Sequence, residues 1–304
     1  MAFVTRRGFL RAAGGGAALL GVGGYAFGVE PGLILTRTAY HMAPPGWPAD
    51  LHLRIGVIAD VHACEPWMPA SRVRAICNKV NALNPDVVVL LGDYTGGHMM
   101  VTGPVMPEAW GEAMSVLRAP YGVYGVLGNH DLWHGALPNM PALNGDPVRK
   151  ALRDAGVTVL ENDAVRVVKD GHAFWIVGLA DQLALRRSHH EFIGMDDLPG
   201  SLAQVTDDAP VILLAHEPYI FPQVPQRVVL TLSGHTHGGQ VRLPEFIQPM
   251  MSQRVRWSQT YGHVEMNNRH MIVSAGLGTS LAPVRFMRPP EIVDVVLGTP
   301  PQIS

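Results

Sequence analysis

The stretch Val87-Val88-Val89-Leu90-Leu91-Gly92-Asp93 constrains the fold more than any other part of the chain. It is a run of β-branched and aliphatic residues with no polar alternation. A strand made from it must be covered on both faces, as in a sheet lying under helices or another layer. Gly92 stops the strand and a carboxylate follows. Asp93 therefore falls at the C-terminal edge of a buried sheet, where open α/β sheets place their ligand sites. One such ending is an ordinary Gly-Asp turn. Here the arrangement recurs along the chain, each time delivering Asp, Asn or His.

Leu53 to Ala59 reads as a second buried strand, ending in Asp60-Val61-His62. Ser71 to Leu83 reads as a helix, with Ser71 as N-cap and Val73, Ile76, Val80 and Leu83 on one face. Together with the opening strand these make a right-handed β-α-β unit. A helix is expected from about Glu108 to Leu117, then a strand from Tyr121 to Leu127 ending in Gly128-Asn129-His130-Asp131. A further helix is expected from Asp146 to Ala155. Strands are predicted at Leu33–Tyr40, Thr158–Leu160, Val165–Val168 and Ala173–Leu179, with a short helix near Ser201. Val211 to Ala215 leads into His216-Glu217-Pro218. Val228 to Ser233 leads into Gly234-His235-Thr236-His237, and strands at Met271–Ser274 and Ile292–Leu297 close the chain. There is no internal repeat and no second hydrophobic core, so residues 29–304 read as one α/β domain.

Five strand exits thus carry polar side chains: Asp60 with His62, Asp93, Asn129 with His130, His216, and His235 with His237. Carboxylate oxygen, amide oxygen and imidazole nitrogen together suit hard and borderline divalent ions. Two ions about 3.5–4 Å apart can share a carboxylate and clamp a phosphoryl group.

In this order, Asp-x-His, Gly-Asp, Gly-Asn-His-Asp, His and Gly-His-x-His resemble the calcineurin-like metallophosphoesterases. The resemblance runs from about Arg54 to the end of the chain. Leu277-Gly278-Thr279-Ser280 and Pro283-Val284-Arg285-Phe286, followed by Arg288-Pro289-Pro290-Glu291-Ile292, are most similar to the bacterial exported or membrane-associated phosphohydrolase branch. The resemblance implies a four-layer α-β-β-α sandwich of two mixed sheets, with the metals where the sheets meet. It implies two divalent ions, Mn²⁺ in first place and Fe or Zn as alternatives. Asp60, His62, Asp93 and His237 would hold one ion. Asp93, Asn129, His216 and His235 would hold the other, with Asp93 as the bridge. A metal-bound water or hydroxide would attack phosphorus, and His130 would contact phosphate and protonate the leaving oxygen. Many relatives carry another acid shortly after Gly-Asp, paired with that histidine. Tyr94-Thr95-Gly96-Gly97-His98 contains none, so Asp131 is the candidate for orienting His130 and has turn stabilisation as its other role.

The implied function is a phosphodiesterase with a small-molecule or lipid-linked, envelope-associated substrate. A lipid-linked sugar pyrophosphate hydrolase of the UDP-diacylglucosamine type is the alternative, and a non-catalytic metal-binding module is a third reading. The chain has 304 residues and a formal net charge of −2, so it lacks the polycationic character of a general nucleic-acid binder. Its only two cysteines, Cys64 and Cys77, exclude a paired-cysteine zinc motif and read as buried hydrophobes, with a disulfide between them as the other reading. Residues 1–28 begin with Thr5-Arg6-Arg7-Gly8-Phe9-Leu10-Arg11 and continue as an apolar Ala/Gly segment without acids. This is similar to a twin-arginine export signal, cleaved or kept as a membrane anchor, and places the enzyme in the periplasm or cell envelope.

Other residues carry smaller expectations. His98 and His134 lie in loops beside the motifs, either near substrate or solvated. His189-His190 after Arg186-Arg187 reads as a charged surface segment or an anion site. Arg285 and Arg288 either reach phosphate or anchor the last strand. Trp67, Met68, Met99 and Met100 either line an apolar wall of the site or cover the core.

Overall fold

A computed structural model of the chain describes residues 5–98, 100–133, 145–188, 191–242 and 259–298. Two six-stranded sheets form its centre. The first contains β1 (Thr36–Met42), β2 (Leu53–Ile58), β3 (Val87–Leu90), β4 (Val123–Gly125) and β5 (Thr158–Val159). The second contains β6 (Asp163–Lys169), β7 (His172–Gly178), β8 (Val211–Leu214), β9 (Val228–Ser233), β10 (Gly262–Met266) and β11 (Arg269–Val273). The last strand, β12 (Glu291–Leu297), returns to the first sheet. The strand orders are β1-β12-β2-β3-β4-β5 and β10-β11-β9-β8-β7-β6. Each sheet is mixed. β12 runs antiparallel to β2, and β7 antiparallel to β6, while β2, β3, β4 and β5 run parallel.

Strand alternation divides the apolar residues between layers. Val88 and Leu90 face the helices α2 (Ala70–Asn81), α3 (Pro107–Met114) and α4 (Asp146–Asp154). Val87, Val89 and Leu91 face the second sheet. In β8, Ile212 and Leu214 face the first sheet. Val211 and Leu213 point the other way, toward α5 (Leu198–Ala203) and the 3₁₀ turn Pro218–Gln223. The result is the expected four-layer α-β-β-α sandwich, and the continuous apolar runs follow from strands covered on both sides.

Several elements depart from expectation: the strand expected from Leu33 begins at Thr36, after the short helix Glu30–Leu33, and the one expected from Tyr121 to Leu127 is confined to Val123–Gly125. Helix α2 starts at Ala70 behind Pro69, which has no capping side chain, so Ser71 lies inside the helix and is not its cap. Strand β10 was not expected. Its Gly-His-Val-Glu-Met pattern buries Gly262 and Val264 only, too little apolar signal for an edge strand to stand out.

Register fixes where the polar exits land. Ile58 pairs with Leu90, and Leu90 with Gly125. Leu214 pairs with Leu232, and Leu232 with Ile272. The residues just beyond these pairs therefore emerge at one end of the sandwich. The chain from Tyr25 onward also reaches this end. Ala26 and Glu30 are buried, the Glu30 carboxylate accepts the N–H groups of Met287 and Arg288, and the Ala26 carbonyl accepts that of Arg285. Contact with the domain thus begins inside the segment that resembles an export signal.

Candidate metal centre

The sheet end gathers three overlapping clusters of ligating atoms, buried except for the half-buried His235, and two of them hold the expected ligands. In the first pocket, Asp60, His62 and His237 converge. Nε2 of His62 and Nε2 of His237 are 3.0 Å apart, and Asp60 Oδ1 is 3.7 Å from the latter. In the second pocket, Asp93, His216 and His235 converge. Nδ1 of His235 lies 3.0 Å from Asn129 Oδ1. Asp93 stands between them: its Oδ2 is 3.4 Å from His62 Nε2 and 3.2 Å from His216 Nε2. Its other oxygen accepts the His130 backbone N–H at 2.8 Å, so one oxygen is anchored and the other faces both pockets.

The backbone is bent to achieve this. Asp60, His62, Asp93, His235 and His237 all have positive φ, between 44° and 68°. Such conformations are uncommon outside glycine, though Asp, Asn and His tolerate them best, and they cluster where a site over-determines the chain. Two glycines allow the close approach. A Cβ on Gly128 would overlap Asp93 Oδ1, and one on Gly234 would press on Asp60 Oδ2.

The electrostatics suit cations. Burial lowers the pKa of His62 to about 3 and of His235 to about 4, and takes His237 well below its ordinary value. These rings are neutral at pH 7, as metal ligation requires. Burial would lower His216 too, but the Asp93 carboxylate outweighs it and holds the ring well above the usual range. Asp93 shows the converse: burial would raise it, and the charges of His216 and His130 hold it well below. Burial pushes Asp60 up to about 7, against the opposing charge of His216 and with a contribution from Asp93. His216 Nδ1 lies 2.6 Å from the Leu91 carbonyl. Donation there fixes the tautomer and leaves Nε2 for a ligand. Asp60 Oδ2 is buried without a hydrogen-bond partner. A buried, orphaned carboxylate oxygen is costly unless a cation meets it, and the His216 Nε2 faces Asp93 in the place a second cation would take, so the donor set fits two divalent ions.

Asp131 does something other than orient the His130 ring. It is fully buried. One oxygen accepts the N–H groups of Asp93 and Gly128, and the other those of Tyr94 and Thr95. It ties the Asp93 turn to the Gly128 turn. The His130 ring instead packs against His62, at 4.8 Å between centroids, and Trp133, at 5.3 Å. Trp133 also stacks on Phe192 and lies under the Arg186 guanidinium. Trp133, Phe192 and Arg186 were not singled out as a wall of the site. The short hairpin Leu185–Arg186 with Phe192–Ile193 brings them there, and only the folded contact with Trp133 reveals it.

The remaining candidates separate cleanly. Arg285 is buried and donates to the carbonyls of Ala275, Gly278 and Arg288, so it anchors loops. Its Nη2 lies 3.4 Å from His237 Nδ1. Arg288 lies over the Tyr261 ring. Met68 belongs to the core, and His98 is buried under Trp67. Cys64 and Cys77 are free and buried. His134, His189, His190 and Met99 lie outside the described residues.

Residues 53–239 match the model of the calcineurin-like phosphoesterase family. The chain belongs to that family. It is a metal-dependent phosphoester hydrolase. Among its relatives is the uncharacterized metallophosphoesterase YkuE of Bacillus subtilis, 31% identical over 95% of this chain and 96% of that protein. The UDP-2,3-diacylglucosamine pyrophosphatase LpxG of Chlamydia trachomatis is 25% identical, over 87% of this chain and 89% of its own. Among solved structures, the NAD nucleotidase of Haemophilus influenzae aligns with a TM-score of 0.47 at 16% identity, over 75% of this chain and 46% of that one.

Proposed function

We propose that the chain is a dinuclear phosphodiesterase of the cell envelope. The observation that carries the dinuclear reading is Asp93 Oδ2, 3.4 Å from one histidine of the first pocket and 3.2 Å from one of the second. Asp60, His62, Asp93 and His237 would hold one ion, and Asp93, Asn129, His216 and His235 the other. Mn²⁺ suits this oxygen and nitrogen set. When bound, two such ions supply Lewis acidity and an activated water at neutral pH. The residues do the rest. Asp131 holds the Asp93 and Gly128 turns in register. His130, packed against His62 and Trp133, would donate a proton to the leaving oxygen. Arg186, beside Trp133, offers a cation to the phosphate or its substituent.

The envelope assignment is supported by Arg6-Arg7 ahead of the apolar segment and by apolar side chains exposed on and around that segment. Leu20, Val22, Phe27, Val29 and Leu33 are exposed on the N-terminal segment, and Leu281 and Met287 on the loop region where it docks. Among the described residues no helix is long and apolar enough to cross a membrane. The likeness to LpxG favours a second reading, hydrolysis of a lipid-linked sugar pyrophosphate. A non-catalytic module fits poorly, because every expected ligand position and His130 are filled.

The test is hydrolysis of bis(p-nitrophenyl) phosphate, p-nitrophenyl phosphate and a nucleoside diphosphate sugar by Mn²⁺-loaded protein. The diester is expected to turn over fastest. Preference for the pyrophosphate selects the second reading, and no turnover across all three defeats the catalytic proposal. Fractionation of cells expressing the full chain, with and without residues 1–28, checks the envelope assignment.

A further inference from the structure

One carboxylate beside the second pocket has no part in the scheme above. Glu217 follows His216 at the end of β8 and is fully buried. Gln182 grips it at two points. The Gln182 backbone N–H donates to Oε2 at 3.1 Å, and its side-chain amide donates to the Glu217 carbonyl at 2.7 Å. Oε1 meets no N–H or hydroxyl donor and lies 4.0 Å from Nδ1 of His235. Asp181 lies close by. Its Oδ1 accepts the Leu183 N–H at 2.7 Å and its Oδ2 is buried and meets no such donor; the two carboxyl groups share a hydrogen bond through the proton that Asp181 retains. Ligating atoms of Asp181, His216 and Glu217 all fall within 4.8 Å of one another.

Atoms around one small divalent ion, each about 2.1 Å from it, stand roughly 3–4 Å apart. Glu217 Oε1 and His235 Nδ1 meet that condition, and Gln182 prevents the carboxylate from turning away. We propose that Glu217 is a further protein ligand of the ion in the second pocket. The proposal rests on the dinuclear reading and deepens it. Each ion would then have two carboxylates, Asp60 and Asp93 in one pocket and Asp93 and Glu217 in the other. Three carboxylates against two dications leave a single net positive charge. A centre of that charge holds a dianionic phosphomonoester less strongly than a more positive one would, and it still matches a monoanionic diester. Glu217 therefore favours diesters.

The experiment is calorimetric titration of Mn²⁺ into metal-free wild type and Glu217→Gln, with metal content measured by mass spectrometry and folding checked by circular dichroism. Wild type is expected to take two ions. In Glu217→Gln one site keeps its affinity and the other weakens by at least about tenfold. The ratio of kcat/KM for the bis- over the mono-nitrophenyl ester also falls. Two ions bound at wild-type affinity by Glu217→Gln overturn the proposal. So does a wild type that binds three ions and loses only the third in the variant, which would make Asp181 and Glu217 a separate site. A wild type that binds no ion defeats the dinuclear reading itself. If Glu217→Gln does not fold, Glu217→Asp replaces it. The shorter arm withdraws the oxygen, so the second ion should weaken, and unchanged affinity overturns the proposal.

Discussion

The two pockets share Asp93 but are built on opposite electrostatic ground. Behind the first stands Arg285, buried and 3.4 Å from His237. Burial pushes its guanidinium down to about 10, so it stays charged at pH 7. Behind the second stand Asp181 and Glu217, both buried. Burial and the neighbouring Glu217 hold the Asp181 carboxyl well above the usual range. A cation entering the first pocket meets a positive charge that stays in place, whereas one entering the second displaces the His216 proton and relieves crowded carboxyl groups. Coulomb interactions at these separations are large wherever water is excluded. Two pockets with similar histidine and carboxylate donors should therefore differ in affinity, with the second filling first.

That difference can be attacked from several sides. The largest effect is expected from Asp93→Asn, which touches both pockets. Both ions should be lost on desalting and turnover should fall beyond about 10⁴-fold, the upper end for a lost acid-base group. Retention of one ion by mass spectrometry would move the bridge elsewhere. His130→Ala comes next: kcat should drop about 10²- to 10⁴-fold with both ions retained, and loss of metal would make His130 a ligand. His237→Ala and Asn129→Ala separate the pockets. Each should weaken one ion by about 10- to 100-fold. The ion left in His237→Ala should bind more tightly than the one left in Asn129→Ala, and the reverse order refutes the electrostatic contrast.

The last test is pH dependence. Asp60, with its pKa raised to about 7, holds a proton below that pH. His216, raised by Asp93, holds one to a higher pH still. Both protons must leave when metal binds, so affinity should already fall with decreasing pH above 7 through His216 and fall more steeply below about 7, where Asp60 adds its proton, by at most about tenfold per pH unit for each proton released. Calorimetry in buffers of different ionisation enthalpy counts those protons. A titration releasing none contradicts the assigned ligands.

Much of the fold was legible because the buried strands are continuous apolar runs, and Gly92, Gly128 and Gly234 mark where they stop. The convergence of Asp60, Asp93, Asn129, His216 and the His235–His237 pair followed from those endings and was then set by register. What stayed hidden depended on contacts distant in sequence. Asp131 reads as a partner for its neighbour His130, yet its bonds run to residues 93–95 as well as to Gly128. Glu217 looks like the residue that happens to follow His216 until Gln182 is seen to aim it. Asp181, Gln182, Arg186 and Phe192 lie between Ala180 and Thr206, where short strands and mixed composition give no periodic signal. Glu30, two residues past the leader-like segment, carries no signal in the sequence, yet it accepts the N–H groups of Met287 and Arg288.

The left-handed backbone at Asp60, His62, Asp93, His235 and His237 also limits which side chains these positions can exchange. Alanine there adds a conformational penalty of roughly 1–2 kcal/mol to whatever ligation it removes. Asparagine keeps the bend and changes only the donor. Swaps among Asp, Asn and His at this centre would thus change the ligand while leaving the chain's path intact. An alanine scan of the same residues would mix the energy of the turn with that of the ligand.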